Sequence, residues 1–156
     1  MKKFIKKIMK ALGGTQQNVS CEPKMPKLET DIEETNPTDI KYEDFEKWID
    51  VSLSEELPSN IEAFCFNLYE EEGDHVYSVE IIGAPSFDDD CDWACDEVFD
   101  NREYPLSWKS DKSFEGVLEE MKSFVKRYLR EGKYASLLRS KQAVAIGFVD
   151  GDLELL

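Results

Sequence analysis

Residues 61–82, IEAFCFNLYEEEGDHVYSVEII, decide the fold because they predict two β-strands joined by a short turn. Aromatic and β-branched residues fill both runs, and the sequence Glu-Glu-Gly-Asp at 71–74 separates them. Two such runs across a short loop that contains glycine are typical of a β-hairpin. Polar and apolar residues alternate in the second run, 75–82, which predicts that one face of this strand is exposed to solvent.

A long amphipathic helix is predicted further along the chain. From Phe114 to Leu129, apolar residues recur every three or four positions, as on the buried face of an α-helix. Asp111 or Ser113 is the expected N-cap, and Gly132 is expected to end the helix.

Three weaker patterns flank these elements. Apolar residues at helical spacing over 39–57, closed by Pro58, predict one more main helix. A short helical turn is predicted at 134–138, where Tyr and Leu residues recur. Residues 106–109 predict a short strand or an extended link.

The chain ends with a second predicted hairpin. Residues 143–149 and 152–156 are β-like runs, and Asp150-Gly151 lies between them. Asp-Gly favours a type I′ turn, which needs a positive φ at both positions. The order hairpin, helix, hairpin predicts an α+β fold, in which two main helices pack on one face of an antiparallel sheet built from two hairpins.

The sequence divides into three parts: a basic amphipathic arm over 1–14, a linker over 15–38 and a single α+β domain over 39–156. Prolines and polar residues without periodicity mark the linker. The arm predicts contact with an anionic membrane surface, docking on the acidic body, or a frayed terminus. Its candidate membrane-surface residues are Lys2, Lys3, Phe4, Ile5, Lys6, Lys7 and Ile8.

Charge is the most informative property of the composition. The 156 residues include 34 acidic and 19 basic ones, a net charge of −15 at pH 7. The first 14 residues hold five lysines and no acid, so residues 15–156, with 14 basic and 34 acidic residues, carry −20. Such a body repels phosphate backbones, which argues against nucleic-acid binding, and attracts a basic protein partner. The alternative is that the acidity only maintains solubility.

Residues 88–97, DDDCDWACDE, concentrate this charge. The predicted partner-binding residues are Asp88, Asp89, Asp90, Asp92, Trp93, Asp96 and Glu97. Carboxylates orient a cationic partner and raise its association rate, while an aromatic side chain supplies an anchor. The alternative is a solvated acidic loop that Trp93 and Phe99 hold in place.

No metal site or cofactor is predicted from these residues. A calcium loop beginning at Asp88 would need glycine at its sixth position and glutamate at its twelfth, where Trp93 and Phe99 stand. Cys91 and Cys95 have the spacing of half a zinc site, but no second Cys/His pair has ligand spacing. Redox chemistry favours the C-x-x-C motif, which is missing from the sequence.

Nothing in the sequence predicts an enzyme. His75 is the single histidine, and there is no phosphate-binding loop, dinucleotide fingerprint or nucleophile motif. Pairs of carboxylates could form a hydrolase site, but 34 acidic residues make chance pairs common. The four cysteines do not indicate a secreted disulfide scaffold, which favours a reducing compartment and a cytoplasmic protein. No apolar stretch is long enough to span a bilayer.

Two segments, 92–99 (DWACDEVF) and 147–153 (GFVDGDL), resemble those of small acidic bacterial proteins grouped as immunity proteins of polymorphic toxin systems. The resemblance covers roughly residues 60–156. It implies a cytoplasmic, non-enzymatic inhibitor that neutralises a toxin in the same cell. The basic arm and the linker fall outside it.

Overall fold

The computed structural model describes residues 39–156, apart from the side chain of Cys91. The predicted arm and linker, and with them the candidate membrane-surface residues 2–8, lie outside the described residues. The elements in chain order are α1 (Tyr42–Ser52), β1 (Ala63–Glu70), β2 (Val76–Ala84), a 3₁₀ helix (Cys91–Cys95), β3 (Phe99–Asp100), β4 (Leu106–Lys109), α2 (Phe114–Glu131), α3 (Ala135–Arg139), β5 (Ala143–Phe148) and β6 (Glu154–Leu155). The predicted α+β class is confirmed.

The sheet is mixed, with strand order β3-β2-β1-β5-β6, and β4 also pairs with β2. The first predicted hairpin is confirmed: β1 and β2 are antiparallel, with Phe66 opposite Ile81. Gly73, at φ 134°, and His75, at φ 58°, provide the left-handed residues of its turn. The sheet is mostly antiparallel, as predicted, with one exception: β5 lies parallel to β1. The helices α2 and α3 precede β5 in the chain. They bring the chain back to the end of the sheet where β1 begins, so that β5 can run parallel to β1.

The second hairpin differs from its prediction. β5 and β6 pair over only two residues each, and five residues connect them. Neither Asp150 nor Gly151 has a positive φ, so the type I′ turn is wrong. The connection instead folds back over Gly147, where a Cβ atom would lie 2.5 Å from the carbonyl oxygen of Asp152. Any side chain at position 147 would clash with this carbonyl, so the close approach of the connection requires glycine there.

The helices follow their apolar patterns closely. α2 begins and ends as predicted, with Ser113 accepting a hydrogen bond from the Gly116 amide (3.3 Å) and Gly132 at its C-cap. α1 is shorter than predicted and ends at Ser52. Beyond it, both the backbone amide and the hydroxyl of Ser54 bond the Val51 carbonyl, which closes the helix as a turn. The predicted short turn is α3, and the run at 106–109 is β4.

The main core lies between one face of the sheet and the two long helices. Phe45 of α1 is fully buried and packs against Phe66 of β1 and Phe124 and Tyr128 of α2. We call this the helix face of the sheet. Both main helices lie on it, as predicted, and it buries the largest side chains of the domain.

Candidate partner-binding face

The opposite side of the sheet, which we call the open face, bears small residues near one end of the strands. Ala63, Cys65, Ala143 and Ala145 form a shallow apolar floor there. Trp93, in the 3₁₀ helix, covers this floor and is only 4% exposed. The prediction that β2 has a solvent-exposed face is wrong, because eight of its nine residues are buried. On the open face, Ile82 and Ala84 lie in the cluster around Trp93, and Glu80 is bonded by Arg102.

Trp93 fixes the acidic segment in place. Its ring packs edge-on against Phe87, with centroids 5.4 Å apart. The Val98 amide bonds the Gly83 carbonyl at 2.8 Å, which joins the end of the segment to β2. At 4% exposure, Trp93 packs against the floor and Phe87 and orders the segment. Its predicted role as a contact residue stays a prediction.

The other end of the open face is polar and centres on Glu80. This glutamate is 3% exposed, yet its carboxylate has three hydrogen-bond donors. Asn67 Nδ2 lies at 3.3 Å, Arg102 Nε lies at 3.2 Å, and the Tyr69 hydroxyl makes a short hydrogen bond. Burial and the bond to Glu80 raise the pKa of Tyr69. A buried carboxylate is tolerated when it is paired and hydrogen-bonded in this way.

Arg102 connects this buried carboxylate with the acidic segment. Its Nη2 donates to Glu97 Oε2 at 2.7 Å while its Nε bonds Glu80. These hydrogen bonds, first to Glu97 and then to Glu80, raise the pKa of the Arg102 guanidinium. Glu97 is thus partly buried and ion-paired, and its predicted role in partner binding stays a prediction.

The remaining predicted residues are at the surface. Asp88, Asp89, Asp90, Asp92 and Asp96 are all exposed. They sit on a segment whose middle is held by Trp93 and whose C-terminal end is bonded to Arg102 through Glu97. Of the seven predicted partner-binding residues, five are therefore accessible to a large ligand.

The charge of the domain is distributed very unevenly along the chain. Residues 48–108, from the second half of α1 into β4, hold 17 acidic residues and one basic residue, Arg102. Residues 109–156, which include α2 and α3, hold eight acidic and nine basic residues. The stretch 48–108 therefore carries nearly all of the excess negative charge of residues 39–156.

A groove between α1 and the β3–β4 connection was not predicted from the sequence. It measures about 320 Å³ and lies between the end of α1 and the connection from β3 to β4. Its lining includes Val51, Glu55, Asp100, Glu103 and Tyr104. The only signal in the sequence is that Val51 and Tyr104 stand among acidic residues, which does not reveal that the two segments meet.

The described residues give no arrangement that resembles a metal centre. Across residues 39–156, no group of three or more His, Cys, Asp or Glu side chains is placed to hold a metal ion. Cys95 is an exposed free thiol, while Cys65 is buried with its sulfur 3.2 Å from Asn67 Oδ1. No helix in this part of the chain has the length and apolar character to cross a membrane.

No protein-family model matches the chain, and neither the curated proteins nor the solved structures searched contain a match.

Proposed function

We propose that the chain is a non-enzymatic binding protein that inhibits a basic toxin, such as a nuclease, in the manner of an immunity protein. The observation that carries this proposal is the concentration of 17 acidic residues against one basic residue in 48–108, with five carboxylates of the acidic segment exposed. The partner would be a cationic protein, bound in the bacterial cytoplasm.

Electrostatics supports a cationic protein over other partners. A surface of one sign attracts an oppositely charged protein during diffusion and raises its association rate. The same surface repels the phosphate backbone of nucleic acids. Because the charge-balanced stretch 109–156 lacks this excess, a cationic partner would be drawn to surfaces formed by 48–108, which include the exposed acidic segment.

The packing of the acidic segment supports binding as well. Trp93 and the Arg102 bridge hold the segment against the sheet, so its carboxylates are positioned before a partner arrives. A preorganised surface loses less conformational entropy on binding than a free loop does. An acidic segment serving solubility alone would not need this support.

The experiment is to express the open reading frame immediately upstream, with and without this chain, in a bacterial host. We expect the upstream product to arrest growth alone and to be tolerated when both are present. The purified proteins should form a complex whose association rate falls about tenfold between roughly 50 and 300 mM NaCl. An upstream product that is harmless, or that does not bind this chain, would contradict the proposal.

A matched pair of variants locates the interaction. One replaces Asp88, Asp89, Asp90 and Asp92 with Asn. The control replaces Asp111, Glu115, Asp150 and Asp152, which are also exposed, with the corresponding amides. Both change the net charge by four, so only the first should flatten the salt dependence if the open face is the binding face.

A further inference from the structure

The groove between α1 and the β3–β4 connection combines exposed apolar walls with unpaired charge. Val51 of α1 and Tyr104 of the β3–β4 connection line it. They are 67% and 72% exposed, the highest values among the exposed large hydrophobic residues of 39–156. Large apolar side chains left open to water beside a concave surface are typical of interaction sites.

The floor of the groove is rigid. Asn101 is buried, its Oδ1 accepting from the Ile81 amide at 2.8 Å and its Nδ2 donating to Ser52 Oγ at 2.7 Å. Trp48 Nε1 donates to the Tyr104 carbonyl at 2.9 Å, which fixes the outer wall against α1. The groove therefore exists before any ligand enters.

Three carboxylates surround this cavity: Glu55, Asp100 and Glu103. Within residues 39–156, none of them forms an ion pair. Among the described residues, the side chain of Asp100 accepts one hydrogen bond, from the backbone amide of Arg102 at 3.0 Å. The groove thus combines negative charge with an exposed aromatic ring and an aliphatic wall.

We propose that this groove receives one arginine side chain of the basic partner, an inference that rests on the proposed function. The aliphatic stem of the arginine would pack on Val51, and its planar guanidinium would stack on the Tyr104 ring. The carboxylates would then accept hydrogen bonds from its N–H groups. The planar guanidinium, with five donors, suits several carboxylates better than the compact ammonium of lysine does. A single anchor residue in a preformed pocket can supply much of the binding energy of an interface.

The test uses the full chain, labelled with ¹⁵N, and N-acetyl-arginine amide as the probe. We expect saturable shifts of the amide signals of Val51, Asn101 and Tyr104, and none with N-acetyl-citrulline amide, which has the same shape without charge. Shifts spread evenly over the acidic segment, or equal shifts with the citrulline probe, would overturn the inference.

Two sets of substitutions make the test specific. Tyr104→Ala, and separately the triple variant Glu55→Gln, Asp100→Asn and Glu103→Gln, should each weaken probe binding about tenfold, which corresponds to about 1.4 kcal/mol. The control triple Asp88→Asn, Asp89→Asn and Asp90→Asn changes the charge equally and should weaken binding less than about twofold. Equal weakening by both triples would overturn the inference.

The same variants separate this inference from the proposed function. In the complex with the toxin, the groove triple should raise the dissociation rate about tenfold, since anchors act mainly on dissociation. If the complex forms and neither the groove triple nor Tyr104→Ala weakens it, the groove inference is wrong and the proposed function stands. If the probe binds the groove but the upstream product does not bind the chain, the inhibitor function is wrong.

Discussion

The two faces of the sheet differ in what their side chains contribute. On the helix face, Phe64, Phe66 and Leu68 of β1 are fully buried beneath α1 and α2. On the open face, Cys65 of β1 lies beneath the Trp93 indole, while Asn67 and Tyr69 donate hydrogen bonds to Glu80. The comparison shows one face organised for stability and the other for holding charged residues in defined places.

Replacing the central aromatic residue of each face should have the largest effects on the free energy of unfolding. The loss should be larger on the helix face than on the open face. Phe45→Ala on the helix face should lower the free energy of unfolding by about 3–5 kcal/mol, because it empties the middle of the core. Trp93→Ala should cost about 2–3 kcal/mol, since the floor beneath it consists of small residues. Urea denaturation measures both values.

Hydrogen exchange gives the sharper contrast between these two variants. Trp93→Ala should speed amide exchange mainly over residues 88–100, because only the acidic segment loses its support. Phe45→Ala should speed exchange throughout the domain. If Trp93→Ala destabilises the whole domain as much as Phe45→Ala does, the two faces are not separate in energy.

Raising the pH should have an intermediate effect, because each face has a tyrosine bonded to a carboxylate. Burial and a hydrogen bond to Asp50 raise the pKa of Tyr128, and burial and Glu80 raise that of Tyr69. In the unfolded chain a tyrosine loses its proton near pH 10, while in the folded protein these two keep it. The free energy of unfolding should therefore be unaffected below about pH 10 and should fall above it.

The slope should reach at most about 1.4 kcal/mol per pH unit for each tyrosine that keeps its proton. Urea denaturation between about pH 8 and 11.5 measures it. Tyr128→Phe and Tyr69→Phe should each flatten the slope, because each removes one tyrosine that keeps its proton in the folded protein. A wild-type stability that is constant across this range would contradict the prediction.

Neutralising the exposed acidic residues should have the smallest effect on stability. The variant with Asn at 88, 89, 90 and 92 should change the free energy of unfolding by less than about 0.5 kcal/mol, because these side chains are exposed. Any change should be stabilising at low salt, where like charges repel most strongly. Thermal unfolding at low and high salt measures it, and a loss above about 1 kcal/mol would indicate a structural role for these carboxylates.

The elements of this fold were largely predictable, but their arrangement was not. Both α2 and the first hairpin follow side-chain periods that a short window of sequence contains. The parallel pairing of β1 with β5 could not be predicted in this way. A continuous apolar run such as 143–149 does not indicate the direction in which its strand pairs. The type I′ turn predicted at Asp150-Gly151 is wrong, and the connection passes close to Gly147 instead, a contact that a rule based on two turn residues does not include.

The candidate site divides in the same way. Five of the predicted carboxylates are exposed, as their composition indicated, whereas Trp93 is buried and Glu97 is paired with Arg102. The groove was missed because Val51 and Tyr104 come from segments far apart in the chain.

By itself, the sequence determined the α+β class, the helix α2 with its caps, the first hairpin and the acidic character of 48–108. These properties depend on local side-chain periods and on composition, which do not require long-range contacts. The tertiary structure alone decided the mixed sheet, the burial of Trp93, the bridge of Arg102 between Glu80 and Glu97, and the groove. Each of these depends on which distant segments pack together, and that is set by the competition of all the contacts in the folded chain.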